Sequence, residues 1–260
     1  MMIRQGKLEK VVLSRSLNLN FPHPISLPKL TQTLAAGYPN TWVFSVDGLV
    51  GASPEMLAQT ENSQHGIPRV HCRVLAGTKP LQIFAENDFT AEFELETSQK
   101  DIREHRVAVN SAAAALQEFG TVEIGEPYVL TLPNVEHFAT DIYTTLDGTL
   151  SLLAVIGKLH PTAALGGNPR EKANEVITQL EGDVRERYGA PVGWISHGAA
   201  GEFGQWAIAL RCCQVSADLR SATAWAGGGI MADSIPENEL AETQAKFSPA
   251  ITALKSQFAN

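Results

Sequence analysis

The sequence predicts an α+β fold built on antiparallel sheets, and three observations point there. Strand-like runs arrive in clusters, helical patterns do not alternate with them one for one, and Asp47-Gly48 separates two β-rich runs as a tight hairpin turn would. No fixed-period repeat, low-complexity tract or Gly/Ser linker divides the 260 residues, so the chain reads as one domain over 1–260. With 44% hydrophobic residues it can bury a sizeable core.

Taken in order, VVLSRSL after Lys10 is the first strand, and alternation sets Lys10, Val12 and Ser14 on one face and Val11, Leu13 and Arg15 on the other. TWVFSV and LVGAS flank the Asp47-Gly48 turn, whose residues suit positive φ. VHCRVLAG, PVGWIS, QWAIALRCCQVS and SATAWAGGGI are further strands. Helical patterns occupy roughly 99–118, 151–159, 170–180 and 236–247. Ser98 and Asp101 begin the first of these; Ser234 and Glu237 have capping-box spacing at the last, with Pro236 in its first turn.

A formal net charge of −8, from 20 Lys+Arg against 28 Asp+Glu with no long basic run, argues against nucleic acid or acidic membranes as partners. The start, MMIRQGKLEK, has no apolar signal core, and no run of about 18 apolar residues occurs, so the expectation is a cytoplasmic protein. Cys72, Cys212 and Cys213 form neither a disulfide framework nor a zinc site; the adjacent pair points to opposite faces of a strand.

Chemistry concentrates in a few places. In DSIPENELAETQAK, Glu239, Glu242 and Lys246 fall at i, i+3 and i+7 on one helical face. They read either as a solvated acidic face with a Glu242–Lys246 pair, or as carboxylates for a divalent cation beside an ammonium for an anion. Gly227, Gly228 and Gly229 end a strand, as a structural turn or as a place where a ligand meets backbone N–H groups. Glu104 and His105 are adjacent, which excludes the HExxH zinc pattern and leaves an ordinary exposed helix start as the bland reading. Lys10 snorkels from an apolar strand or transfers protons; Glu55 follows Pro54 where acids are common; His137 in NVEHFAT reads first as a hydrogen-bonded core histidine. Arg211, in so apolar a run, needs an anionic partner, usually a bidentate carboxylate.

Together and in this order, KVVLSR, GASPEML, AGTKP, SQKDIREH, VEHFAT, HPTAALGGNP, RYGAPVGW, ALRC, AGGGI and PENELAET resemble the chorismate-binding enzymes, from Lys10 to Lys246. The resemblance implies antiparallel sheets flanked by helices, the anthranilate/isochorismate synthase-like fold, with chorismate as small-molecule substrate and Mg²⁺ as cofactor. Lys10 looks like the lysine that activates water where anthranilate synthases usually have glutamine, and Glu55 like the acid that protonates the departing C4 hydroxyl. Ala76 stands where enzymes with a covalent intermediate carry lysine, so none is expected. Metal ligation is implied for Glu104 and Glu242, with Glu239 through water. Substrate contacts are implied for His137, Ala164, Leu165, Tyr188, Arg211, Gly227, Gly228, Gly229 and Lys246. Ala164 replaces the threonine usual in salicylate synthases, and RYGAPVGW resembles the menaquinone branch, though with Gly189-Ala190 in reversed order.

An isochorismate synthase is therefore expected, with a salicylate synthase or a non-catalytic chorismate-binding fragment as alternatives. Family members normally carry a substantial segment before KVVLSR, whereas nine residues precede Lys10 here, so the domain is expected to lack the usual N-terminal segment, as a monomer or weak homodimer. AEFELETSQK is also more acidic than the stretch usual before the Ser-x-Lys-Asp segment.

Overall fold

Asp47 and Gly48 take φ of 48° and 77°, the paired positive values of a two-residue hairpin turn, and place Val46 opposite Leu49. The computed structural model describes residues 2–62, 68–81, 98–147, 151–198 and 201–258. The chain runs β1 (Lys10–Asn20), α1 (Leu27–Gly37), β2 (Trp42–Val46), β3 (Leu49–Ser53), β4 (Met56–Asn62), β5 (Pro68–Pro80) and α2 (Gln99–Leu116). It continues through β6 (Gly120–Ile124), β7 (Tyr128–Thr131), β8 (Val135–Leu146), α3 (Leu152–Leu159), β9 (Gly167–Asn168) and α4 (Arg170–Glu181). The remainder is β10 (Pro191–Gly198), β11 (Gly201–Ile208), β12 (Cys212–Val215), β13 (Ser221–Ile230) and α5 (Pro236–Lys255). Most of AEFELETSQK, residues 91–97, lies outside the described residues.

Two antiparallel sheets result, as the clustering of strands predicts. The first is ordered β2-β3-β12-β13-β1-β9, the second β10-β11-β4-β5-β8-β6 with β7 also on β8. One apolar cluster joins β4, β5, α2 and α3 to Leu49, Cys212 and Trp225 of the first sheet. Another joins α1 and α5 to Val50, Cys213 and Ala224. Adjacent Cys212 and Cys213 thus fall in different clusters, as side chains on opposite faces of a strand must. No described helix is long and apolar enough to cross a membrane.

Several elements depart from expectation. Helix α1 is unforeseen, although its signals are present: the Ser26 hydroxyl accepts from Lys29 N at 3.4 Å, Pro28 lies in the first turn, and Leu30 and Leu34 are fully buried. The proposed capping box does not form. Ile235 is the N-cap of α5, and the Ser234 hydroxyl accepts from Met231 N at 3.0 Å instead. Helix α5 also continues to Lys255, past Pro249. Proline has no N–H for the carbonyl four residues back, and that carbonyl, of Ala245, takes the Asn134 side-chain amide. QWAIALRCCQVS is not one strand, because β11 ends at Ile208 and β12 begins at Cys212.

Leu34 has no exposed area and no polar atom beyond its backbone. Leu34→Ala is expected to cost about 2–5 kcal/mol through lost transfer energy and the cavity left behind. Urea unfolding checks this: the midpoint should fall at unchanged slope, and a midpoint equal to the parent's would mean that α1 is not part of the cooperative core.

Candidate active site

The candidate residues converge where the two sheets meet. One cleft is lined by Glu55 from the β3–β4 connection, Glu104 from α2, His137 from β8, Lys246 from α5, and Arg211 between β11 and β12. Ala164 and Leu165, in the loop after α3, and Tyr188, before β10, complete it with Gly227 and Gly229 of β13. Lys10, Gly228, Glu239 and Glu242 stand immediately behind this lining. At Gly228 an added Cβ would meet Glu239 Oε2 at 3.4 Å and Glu242 Oε1 at 3.6 Å, so its Cα faces these carboxylates.

Neither the snorkelling lysine nor the exposed acidic faces survive. Lys10 is 0% exposed, and Glu104, Glu239 and Glu242 are all buried. Three lysines neutralise them. Lys10 Nζ lies 2.9 Å from Glu104 Oε1; Lys100 Nζ lies 2.7 Å from Glu239 Oε1 and 3.9 Å from Glu104 Oε2; Lys246 pairs with Glu242 and donates to Gly227 O at 3.1 Å. Lys100 is missing from the expected site. Its position four residues before Glu104, on the same helical face, is the sequence signal that identifies it.

The three glycines make room for these charges. A Cβ on Gly229 would sit 2.1 Å from Glu104 Oε1 and 3.0 Å from Lys10 Cε, so only glycine admits the pair against the strand. With the lysines folded in, the cleft's cavity volume is about 40 Å³. That holds a few waters, and a larger ligand requires side chains to swing away.

Protonation follows from burial and partners. Burial pushes the Glu55 carboxyl up to about 7 against the opposing pull of Lys10, Arg211 and Lys246. Burial also pushes Glu104 up, but Lys10 and Lys100 outweigh it and hold the group below the ordinary carboxylate range. Glu242 stays above that range, since burial and nearby Glu104 outweigh Lys246.

Arg211 departs most from expectation. It is not a strand residue but a left-handed break at φ 51°, and no carboxylate among the described residues forms an ion pair with it. Its guanidinium instead donates to His137 Nε2 at 2.8 Å. His137 must then carry its proton on Nδ1, which lies 3.0 Å from Thr78 Oγ1 and 3.3 Å from Gly77 O. Burial, then Arg211 and Lys246, hold its pKa well below the ordinary histidine value. A buried cation with a neutral partner is therefore open to an anion.

Carboxylate oxygens are hard donors of the kind magnesium prefers, and Glu239 Oε2 is buried without a hydrogen-bond partner. The donor set fits that ion, although no three acidic, histidine or cysteine side chains among the described residues stand close enough together to hold one as they are placed.

The family model described as chorismate binding enzyme matches residues 1–255. The chain belongs to the chorismate-binding enzyme family. It is similar to the isochorismate synthase DhbC of Bacillus subtilis, 35% identical over 97% of this chain and 64% of that protein. The isochorismate synthase MenF of the same organism is also 35% identical, over 97% of this chain and 53% of its own length. The solved structure of the menaquinone-specific isochorismate synthase MenF of Escherichia coli superposes with a TM-score of 0.80 at 28% identity, covering 97% of this chain and 58% of that one. The chain thus spans about half to two thirds of these members of the family.

Glu55 generates a pH prediction. Its folded pKa, about 7, lies above the value of 4.5 for the free side chain, so between those pH values the folded state binds more protons than the unfolded state. Its contribution to stability is therefore full below about pH 4.5, declines as pH rises to about 7 and is gone above. Relative to Glu55→Gln, which cannot titrate, the parent should lose roughly 3 kcal/mol across that window. Parallel unfolding free energies for the two proteins from pH 4.5 to 7.5 would show the carboxyl to be ionised throughout.

Proposed function

We propose that this chain converts chorismate to isochorismate, adding water at C2 and expelling the C4 hydroxyl. The observation that carries the reading is the buried Arg211 guanidinium, without a carboxylate partner among the described residues, in one cleft with a Glu55 that burial keeps protonated up to about pH 7. A dicarboxylate supplies what Arg211 lacks, and Glu55 is an acid with a proton to give. The names of the relatives support the same substrate.

Residue by residue, Arg211 and Tyr188 receive the enolpyruvyl carboxylate, a guanidinium and a phenol being suited to hydrogen-bond its oxygens. Tyr188 stacks on Trp225 with ring centroids 6.4 Å apart, and the fixed ring supports this role. Lys10, which pairs as a cation with Glu104 in the ligand-free cleft, must give up its proton before it takes one from the water that attacks C2. Glu55 gives its proton to the C4 oxygen as that bond breaks, so one water enters and one leaves and the substrate is isomerised. Glu104 and Glu242, with Glu239 beside them, would hold magnesium, which when bound would supply a hard positive centre for the ring carboxylate. Lys10, Lys100 and Lys246 neutralise these glutamates in the ligand-free cleft.

The product distinguishes this reaction from the salicylate synthases. Ala164 offers no hydroxyl where those usually have threonine, so chorismate with magnesium should yield isochorismate without stoichiometric pyruvate, read by product separation; pyruvate in step with turnover would reassign the reaction. Lys10→Ala should lower kcat by about 10² to 10⁴ while chorismate affinity changes little, because a general base contributes to the barrier and not to ground-state binding. Equal losses in rate and affinity would make Lys10 a structural residue.

Glu242→Gln should raise the magnesium concentration for half-maximal activity, and Glu239→Gln should do so to a smaller extent, since an amide is a poorer ligand for a hard cation. Magnesium titrations that coincide with the parent's would remove both residues from the metal site.

A further inference from the structure

Strand β1 has an edge that β9 covers only in part. Residues Lys10 and Val11 pair with Asn168 and Gly167, and Val12 N donates to Gly166 O at 2.8 Å. The next two groups along this edge are Val12 O and Ser14 N. Both are taken by side chains: Glu181 Oε1 accepts from Ser14 N at 2.8 Å, and Arg185 donates to Val12 O at 2.6 Å.

The two side chains form one unit. Arg185 grips Glu181 through Nε and Nη2, both at 2.8 Å, and Glu181 also accepts from the Ser14 hydroxyl at 2.5 Å. The last guanidinium nitrogen, Nη1, donates to Leu165 O at 3.2 Å. The backbone carbonyl of Arg185 accepts from Tyr188 N at 2.7 Å. Three walls of the cleft, Val12, Leu165 and Tyr188, therefore meet on a single residue that does not line it. A planar fork with five donors reaches Val12 O, Leu165 O and Glu181 at once, whereas an ammonium cannot span them; the Tyr188 contact is made by the backbone carbonyl alone.

We propose that Arg185, locked by Glu181, is a positioning residue that fixes the substrate-binding walls of the cleft by completing the edge of β1 with side chains. The kinetic part rests on the isochorismate synthase reading; the structural part does not. The base and acid are placed by other contacts: Lys10 by its pairing with Asn168 and its ion pair to Glu104, Glu55 by Ser53 Oγ, which accepts from its backbone N–H at 3.2 Å. Loosening the walls removes contacts that ground state and transition state share, so KM should rise and kcat should not.

The test compares the parent with Arg185→Gln, Arg185→Ala and Arg185→Lys. With chorismate and magnesium, Arg185→Gln should raise KM about tenfold with kcat within threefold, and millimolar guanidinium should return most of the lost kcat/KM to Arg185→Ala. Arg185→Lys, which keeps the charge but not the fork, should fall between parent and glutamine variant, and it carries the same measurement should the others not fold. Amide hydrogen exchange, which needs no substrate, should quicken at residues 12–14 and 162–166 and nowhere else. Unchanged KM with unchanged exchange would overturn the proposal, as would a kcat loss matching the KM rise or faster exchange throughout the chain. A parent that does not turn over chorismate would sink the reading of the reaction alone, and the exchange pattern would then decide the role of Arg185 by itself.

Discussion

Burying Lys10 against Glu104 is the constraint on which the rest of the site depends. Two opposite charges at 2.9 Å inside a protein recover in attraction roughly what they lose in hydration, so the pair adds little to stability, while removing either partner strands the other at a cost of about 3–5 kcal/mol. The fold must therefore keep both. It does so by leaving glycine at position 229, where any Cβ would collide with the carboxylate. The same logic extends outward through Lys100, Glu239, Glu242 and Lys246, alternating in sign so that each of these four has an opposite neighbour. An interior selected for stability alone would place apolar side chains here.

The charged residues belong to none of the apolar clusters. The cluster around Trp225 and α2 and the cluster around Phe247 and α1 both consist of side chains without charge. Helix α5 serves the charged residues and the second cluster at once. Its first half presents Glu239, Glu242 and Lys246, and its second half buries Phe247, Ala250 and Leu254. The join between the halves includes Pro249, whose missing hydrogen bond leaves Ala245 O to be satisfied from the β7–β8 turn by Asn134. The face of α5 that carries Glu239 and Glu242 is thereby tied to the strand that carries His137.

Much of this was legible in the sequence, and what was not has identifiable causes. Spacing placed Glu239, Glu242 and Lys246 on one face, but spacing is silent on whether that face meets water or protein; burial had to be seen. The resemblance carried Glu104 and Glu55 into one site because family motifs record tertiary neighbours that local periodicity does not. Lys100 is hard to single out for the converse reason: within its motif nothing marks it as the charge that two buried carboxylates require. Helix α1 gives a weak periodic signal despite its cap, its Pro28 and its leucine spacing, since its 11 residues offer only two fully buried positions. The apolar run from Gln205 to Ser216 looked like one strand because hydrophobicity does not register a φ reversal at a single residue.

That reversal has a physical consequence for the site. In a continuous strand the side chain at 211 would alternate with its neighbours and point to one face of a sheet; a left-handed residue breaks the alternation between Ile208 and Cys212. Non-glycine residues take positive φ only where surrounding structure compensates, and such positions gather at functional sites. Here compensation comes from both sides: Ala52 N donates to the Arg211 carbonyl at 3.4 Å, and His137 accepts from its guanidinium. A glutamate in place of His137 would anchor the guanidinium more strongly and neutralise it. A neutral imidazole, which holds Arg211 in place and leaves its charge unspent, is the partner expected of a cation whose task is to meet an anionic ligand.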